Sequence, residues 1–253
     1  MDSRNKLNAW IIIQARVGSS RLPAKVLKII QGKTVLEHDI ERCLRIRRAD
    51  GVVIATTRES EADKIIQVCK KFPPEKVKYY CGSVDDVLSR YYESAQMVGA
   101  NAIVRITSDC PLLDPVMVDS MIDMFWGKNN NSKCIDYLSN LEPRSFPKGL
   151  DTEIFSFFAL ECAHKEAQLP RDREHVTTYI RSRPDIFPRA NFAQKDNQSG
   201  MRWTLDYPED FEFIKKVYDC LYPKNPEFTS ADILSLLEKH PDIILLNQTR
   251  SQR

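Results

Sequence analysis

An α/β fold built on a parallel sheet is what this sequence predicts, and three observations predict it. Four short apolar runs, Ala9 to Ile13, Gly51 to Thr57, Val77 to Cys81 and Ala102 to Thr107, are separated by stretches of helical periodicity. The runs are rich in Val and Ile and mostly unbroken by polar residues, as strands covered on both faces are. The segments leaving these runs are polar, and in a parallel right-handed βαβ sheet the loops bearing Arg16, Thr57, Ser83 and Asp109 converge on one rim, where such sheets bind ligands.

The first strand runs into a loop with one glycine, Gly18, two hydroxyls, Ser19 and Ser20, and three cations, Arg16, Arg21 and Lys25, with Pro23 stiffening it. Approachable backbone N–H groups ringed by Arg forks and a Lys charge suit a polyanion such as a triphosphate. The pattern is neither a Walker A loop nor a GxGxxG fingerprint, so a solvated basic loop fits it equally well. Apolar spacing then predicts a helix from Thr34 to Arg47, a second from Glu59 to Lys71 stopped by Pro73 and Pro74, and a third through Ala95 capped by Ser83 or Asp85. After the fourth strand, Asp109 precedes Cys110 and Pro111 at a turn. Asp114 before Pro115 is an ordinary helix start for Val116 to Phe125.

Beyond this the parallel repeat stops. A polar loop, Gly127 to Lys133, opens an elaboration from Cys134 to Phe192 with short strands and two helices, about Phe155 to Ala167 and Arg173 to Ser182, separated by Pro170. The chain is expected to rejoin the sheet as a strand from Met201 to Asp206. Two amphipathic helices follow, Pro208 to Leu221 and Thr229 or Ser230 to His240, and then a frayed tail from Asn247.

Composition narrows the class. With 253 residues, 42% hydrophobic and 28% charged, the chain suits one large globular domain carrying an elaboration. A net charge of +2 gives no general affinity for nucleic acid. Seven scattered cysteines with no CxxC pair, and a polar N-terminus, favour reduced thiols in the cytoplasm over a disulfide framework or zinc site. No apolar run approaches the roughly 20 residues of a membrane helix.

The segments QARVGSSRLPAKVL, GSVDDVLSRY, VRITSDCPLLDP, DYLSN, FPKGLDTEIF, REHVTTYI and MRWTLDYPED resemble the cytidylyltransferases that activate acidic sugars. They are most similar to the branch called spore coat polysaccharide biosynthesis protein F. The resemblance runs from Ile11 to about Tyr222 and implies a three-layer α/β nucleotidyltransferase fold related to nucleotide-sugar glycosyltransferases, commonly homodimeric. It also implies Mg2+, CTP and a sugar acceptor as partners, with CMP transferred and pyrophosphate released. Residues 8–133 would form the nucleotide-binding half, 134–192 an acceptor or dimerisation elaboration, and 193–245 a return to the sheet with the last helices. Arg16, Gly18, Ser19, Ser20, Arg21 and Lys25 match the triphosphate loop, with Arg16, Lys25 and Asp109 in catalytic roles. Thr56 and Thr57 match the base-reading position, and Ser83 a nucleotide contact. Asp109 and Asp206 would hold the metal. Asp151, Glu153, Arg173, His175 and Arg202 fall where the family recognises its acceptor. A glycosyltransferase using a nucleotide-sugar donor and a non-catalytic nucleotide-binding protein are the rival readings. The cationic loop argues against the first and the presence of both acids against the second.

Overall fold

The computed structural model describes residues 8–130 and 134–248. Strand β1 (Ala9–Gln14) leads through the basic loop and a 3-10 turn (Lys25–Leu27) to a small hairpin, β2 (Ile29–Ile30) and β3 (Lys33–Thr34). Helix α1 (Val35–Leu44) starts in a capping box: the Thr34 hydroxyl accepts from Glu37 N–H while the Glu37 carboxylate accepts from Thr34 N–H. Then come β4 (Gly51–Thr57), α2 (Ala62–Cys69), β5 (Val77–Gly82), α3 (Val87–Val98), β6 (Ala102–Thr107) and α4 (Pro115–Asn130). The elaboration supplies β7 (Tyr137–Ser139), β8 (Glu153–Ser156), α5 (Phe157–Glu166), α6 (Pro170–His175), α7 (Thr178–Arg181) and β9 (Arg189–Asn191). Helices α8 (Pro208–Leu221) and α9 (Ser230–Lys239) complete the order.

The strands form one seven-stranded sheet in the order β5-β4-β1-β6-β8-β7-β9, with β5, β4, β1 and β6 parallel and β8 antiparallel to both neighbours. Period-two alternation divides the core. Ile11, Ile13, Val52, Ile54, Val104 and Ile106 face α1, α2, α4, α8 and α9, whereas Trp10, Ile12, Val53, Ala55 and Ile103 face α3, α5 and α7. The result is the expected three-layer α/β sandwich with a mainly parallel sheet.

Six expectations are corrected. The segment Met201 to Asp206 is not a strand, because β8 occupies the place beside β6. It crosses the rim instead, through a single bridge between Lys148 and Arg202 and a Leu205 N–H donated to Asp109 O at 2.8 Å. Gly149 permits that crossing: its φ is +110°, and a Cβ there would lie 2.4 Å from the Trp203 carbonyl carbon. The helix from Phe155 begins two residues later, since Phe155 pairs with Ile103 in the sheet. The span from Arg173 to Ser182 is two helices, broken at Val176 (φ 60°, ψ −60°), around which Thr177 N–H donates back to His175 O at 2.6 Å. This γ-turn is strained for a β-branched residue. The third helix is capped by Asp86, whose carboxylate accepts from Ser89 N–H at 2.8 Å, rather than by Ser83 or Asp85. Helix α4 also runs on to Asn130, where the sequence suggested a loop; residues 131–133 lie outside the described residues. The tail expected to fray begins with a buried Asn247, bonded to Arg202 O and Asp210, while 249–253 lie outside the described residues.

Candidate active site

The basic loop leaves β1 at the rim and curls towards the end of β6. Its turn into the 3-10 helix places Ala24 at φ 51°, a left-handed conformation that costs a non-glycine residue about 1–2 kcal/mol and that delivers Lys25 inward. The Lys25 ammonium donates to three acceptors: Asp109 Oδ2 at 3.2 Å, Asp206 Oδ1 at 3.1 Å and Leu205 O at 2.9 Å. Its three protons are thereby used. Burial pulls its pKa down, but the Asp109 and Asp206 charges outweigh that and raise it, so it stays a cation.

Asp109 leaves the end of β6, and Thr107 Oγ1 donates to its second oxygen at 2.5 Å. Asp206 lies on the crossing segment and receives Arg21 Nη2 at 3.0 Å, with Arg202 Nη2 3.6 Å from its other oxygen. The hydrogen bond to Tyr207 leads the causes that raise the Arg21 pKa, with Asp206 and Asp109 adding to it. Two carboxylates from distant parts of the chain therefore meet at one ammonium, although the segment bearing Asp206 is not a neighbouring strand. Among the described residues no three His, Cys, Asp or Glu gather into a metal cage. A hard divalent ion completed by phosphate oxygens requires only one or two carboxylates, and the pair gathered on Lys25 fits that donor set.

The remaining residues sort into two groups. Arg16 is exposed and ion-pairs with no described residue. A Cβ at Gly18 would meet nothing within 4 Å, so the open space beside the loop, rather than a backbone requirement, distinguishes that position. Thr56 is buried with its hydroxyl unpartnered, Thr57 donates to Glu59 at 2.9 Å, and the Ser83 hydroxyl accepts from Asp86 N–H at 3.1 Å; β4 and β5 end side by side here. These positions share the rim with Lys25. The second group is drawn into its own networks. Arg202 forks onto Asp210 at 2.8 and 2.7 Å, and Asp210 in turn accepts from Asp206 N–H at 3.0 Å. Glu153 is buried and receives Arg105, Tyr137 at 2.5 Å and Thr177 at 2.7 Å. Arg105 and these hydrogen bonds overcome burial and hold the carboxyl below its ordinary pKa. Arg144 grips Asp151 at 2.5 and 2.9 Å, Arg173 binds Asp86, and His175 is exposed at the end of α6.

Two buried charged residues beside the rim escaped the sequence reading. Asp39 on α1 has both oxygens without a partner. Burial, reinforced by the Asp109 charge, pushes its pKa well up. Arg90 on α3 is buried with its Nε unpartnered. Both signals lay in the helical spacing: Asp39 sits three residues after Leu36 and four before Cys43, and Arg90 three after Val87, so each falls on an apolar face.

The strand order, with polar residues gathered at the strand ends, is that of a nucleotidyltransferase-type α/β protein. The chain superposes on CMP:2-keto-3-deoxy-manno-octonic acid synthetase with TM-score 0.62 over 84% of this chain and 98% of that one, at 18% identity, a likeness of fold. The cytidylyltransferase family model matches residues 10–239, and the chain belongs to that family. A cytidylyltransferase from Leptospira borgpetersenii is 33% identical, with TM-score 0.86 over 94% of this chain and 97% of that one. The spore coat polysaccharide biosynthesis protein SpsF of Bacillus subtilis is 30% identical over 240 residues, 91% of this chain and 94% of its own length.

Proposed function

We propose that this cytidylyltransferase-family chain transfers CMP from CTP to a hydroxyl of an acidic or amino sugar, releasing pyrophosphate, in the biosynthesis of a surface polysaccharide or glycan. The observation that carries the reading is the convergence of Asp109 and Asp206 on Lys25 at the mouth of the basic loop. The acceptor oxygen attacks the α-phosphorus, the bond from that phosphorus to the bridging oxygen breaks, and pyrophosphate departs; the hydroxyl proton passes to solvent. No covalent enzyme intermediate is required, so rate comes from positioning and charge stabilisation.

Arg16 meets the phosphates from the open side of the loop, Lys25 keeps the two acids together, and Arg202 through Asp210 fixes the segment bearing Asp206. Asp109 and Asp206 are the residues that would hold Mg2+, which when bound neutralises developing phosphate charge. Thr56, Thr57 and Ser83 stand at the adjoining ends of β4 and β5, where the base would be read. Arg21 and Lys25 are already engaged with acids, so cationic charge alone separates this reading from a nucleotide-sugar glycosyltransferase less sharply than the sequence suggested, and family membership carries more of the distinction. A homodimer in the cytoplasm accords with the family resemblance, and among the described residues no helix is long and apolar enough to cross a membrane.

The test is a screen of nucleoside triphosphates against acidic and amino sugars with pyrophosphate as readout. Pyrophosphate that appears with CTP and depends on an acceptor supports the proposal. Sugar transfer from a nucleotide-sugar, or CTP binding without turnover across the panel, points to one of the rivals.

A further inference from the structure

Of the cations around the strand ends, Lys25 and Arg21 are engaged by Asp109 and Asp206. Three guanidiniums are not; Arg58, exposed just beyond β4, donates its Nε to Cys81 O at 3.3 Å. Arg16 stands exposed at the loop, and Arg90 lies in the first turn of α3 with 3% of its surface exposed. Arg90 Nη1 donates to Ala55 O at 3.2 Å, and that same carbonyl accepts the N–H of Ala15, the residue before Arg16, at 3.2 Å. Arg90 therefore reaches the root of the basic loop from the opposite helical layer. Gly82 makes room for it, since a Cβ there would lie 2.6 Å from Arg90 Cγ.

The buried Arg42 and Arg202 and the half-buried Arg105 each reach two or more acceptors, although Arg42 Nη2 and Arg105 Nε are also unpartnered. Arg42 donates to Tyr218 Oη, Leu113 O and Phe228 O, Arg105 to Glu153 and Gln14, and Arg202 to Asp210. Arg90 has one neutral carbonyl and an Nε that meets nothing. The acids whose charge reaches it are occupied: Asp86 by Arg173 and Ser89 N–H, Glu59 by the Thr57 hydroxyl. Burial lowers its pKa and Arg16 lowers it further, as expected of a cation missing its counter-charge. Holding a guanidinium in that state is costly, and an incoming anion relieves the cost.

We propose that Arg90 and Arg16 form an anion subsite at the ends of β1 and β4 that holds a phosphate group of the nucleotide. The proposal rests on the nucleotide reading above and adds to it a residue from outside the basic loop. A role confined to tying α3 to β4 would leave nucleotide binding unchanged on mutation, whereas a phosphate contact is lost with the charge.

The experiment measures binding of inorganic triphosphate, CTP and cytidine by calorimetry, with Mg2+ present throughout, for the wild type, Arg90→Gln, Arg90→Lys and Arg16→Gln, with melting temperature as the check on folding. Loss of a charge-assisted contact predicts that Arg90→Gln and Arg16→Gln each weaken triphosphate and CTP by about tenfold or more and cytidine less than twofold, with Arg90→Lys between. Arg90→Lys keeps the measurement available if Arg90→Gln does not fold. Triphosphate affinity within twofold of wild type in a folded Arg90 variant, equal losses for cytidine and CTP, or a wild type that binds no triphosphate overturns the subsite. Triphosphate binding that depends on Arg90, in a protein that never turns CTP over, upholds the subsite and removes nucleotidyl transfer instead.

Discussion

Replacing Lys25 with methionine keeps most of the side chain's volume and removes the charge between Asp109 and Asp206. The Lys25, Asp109 and Asp206 side chains are 14%, 25% and 11% exposed, so the cluster is largely shielded from water. Stripping one partner from a buried ion pair costs about 3–5 kcal/mol, mostly because the remaining charge is left uncompensated. Arg21 stays on Asp206, so the lower end applies; at roughly 2–4 °C per kcal/mol in a chain of this size, the midpoint should fall by about 6–12 °C. The assay is thermal unfolding followed by circular dichroism, first in chelator and then in millimolar Mg2+. Magnesium should recover more of the midpoint in Lys25→Met than it adds to the wild type, because the two acids then have no ammonium between them. In the Lys25→Met/Asp206→Asn double variant the losses should overlap by about 1–2 kcal/mol rather than add. A midpoint within 1 °C of wild type, or strict additivity, would refute the reasoning that Lys25 couples the two carboxylates.

Three other outcomes are expected. Asp39 carries a raised pKa through burial and the Asp109 charge, so the folded chain retains a proton that the unfolded chain loses above about pH 4, and stability falls as pH rises from there towards the folded pKa. Asp39→Asn should remove that dependence, its advantage over wild type in urea unfolding widening by up to about 1.4 kcal/mol per pH unit above pH 5; parallel curves for the two proteins would remove the explanation. Arg202→Met should lose about 3–5 kcal/mol, because it leaves Asp210 buried without its forked partner. A destabilisation below 1 kcal/mol would return Arg202 to the acceptor contacts. Asp114 accepts from the Val116 and Met117 N–H groups at the start of α4 and from Ser230 N–H, so Asp114→Asn should lower the unfolding midpoint while sparing turnover. Asp109→Asn should abolish turnover as well as lower the midpoint through its lost pairing with Lys25, so turnover separates the two variants, and equal turnover in both would undo the distinction.

Much of this architecture is legible in the sequence because its signals are local. The unbroken runs around Ile11, Val53 and Val104 mark strands covered on both faces, and the spacing of Leu36, Ile40 and Cys43 marks a helix lying on them. The Asp114-Pro115 helix start is also local, and it is found as expected. What the sequence misplaces depends on competition between distant segments. Met201 to Asp206 has strand-like alternation, yet β8 takes the hydrogen bonds beside β6, and nothing in either segment alone decides between them. Asp206 still meets Asp109 at Lys25, through the approach allowed by Gly149 and the Arg202–Asp210 fork, but not as the end of a neighbouring strand, which is the geometry the alternation suggests. Glu153 and Arg173 stand in motifs that suggest acceptor contact, but their partners, Arg105 and Asp86, lie 48 and 87 residues away in the chain and become visible only on folding. Arg90 and Asp39 were legible in principle, as charges on apolar helical faces, a pattern that identifies burial without naming a partner.

The central claim is that the nucleotide's CMP moiety, and not a sugar from an activated donor, is the group transferred. CTP labelled at the α-phosphorus, incubated with the protein, Mg2+ and each acidic or amino sugar in turn, tests it most directly. With a suitable acceptor, the label should move from CTP into a sugar-linked product in step with unlabelled pyrophosphate, and Asp206→Asn should stop both. Label that remains in CTP across the panel while a CMP-sugar donor is consumed, or label released as free CMP without a sugar product, would contradict it.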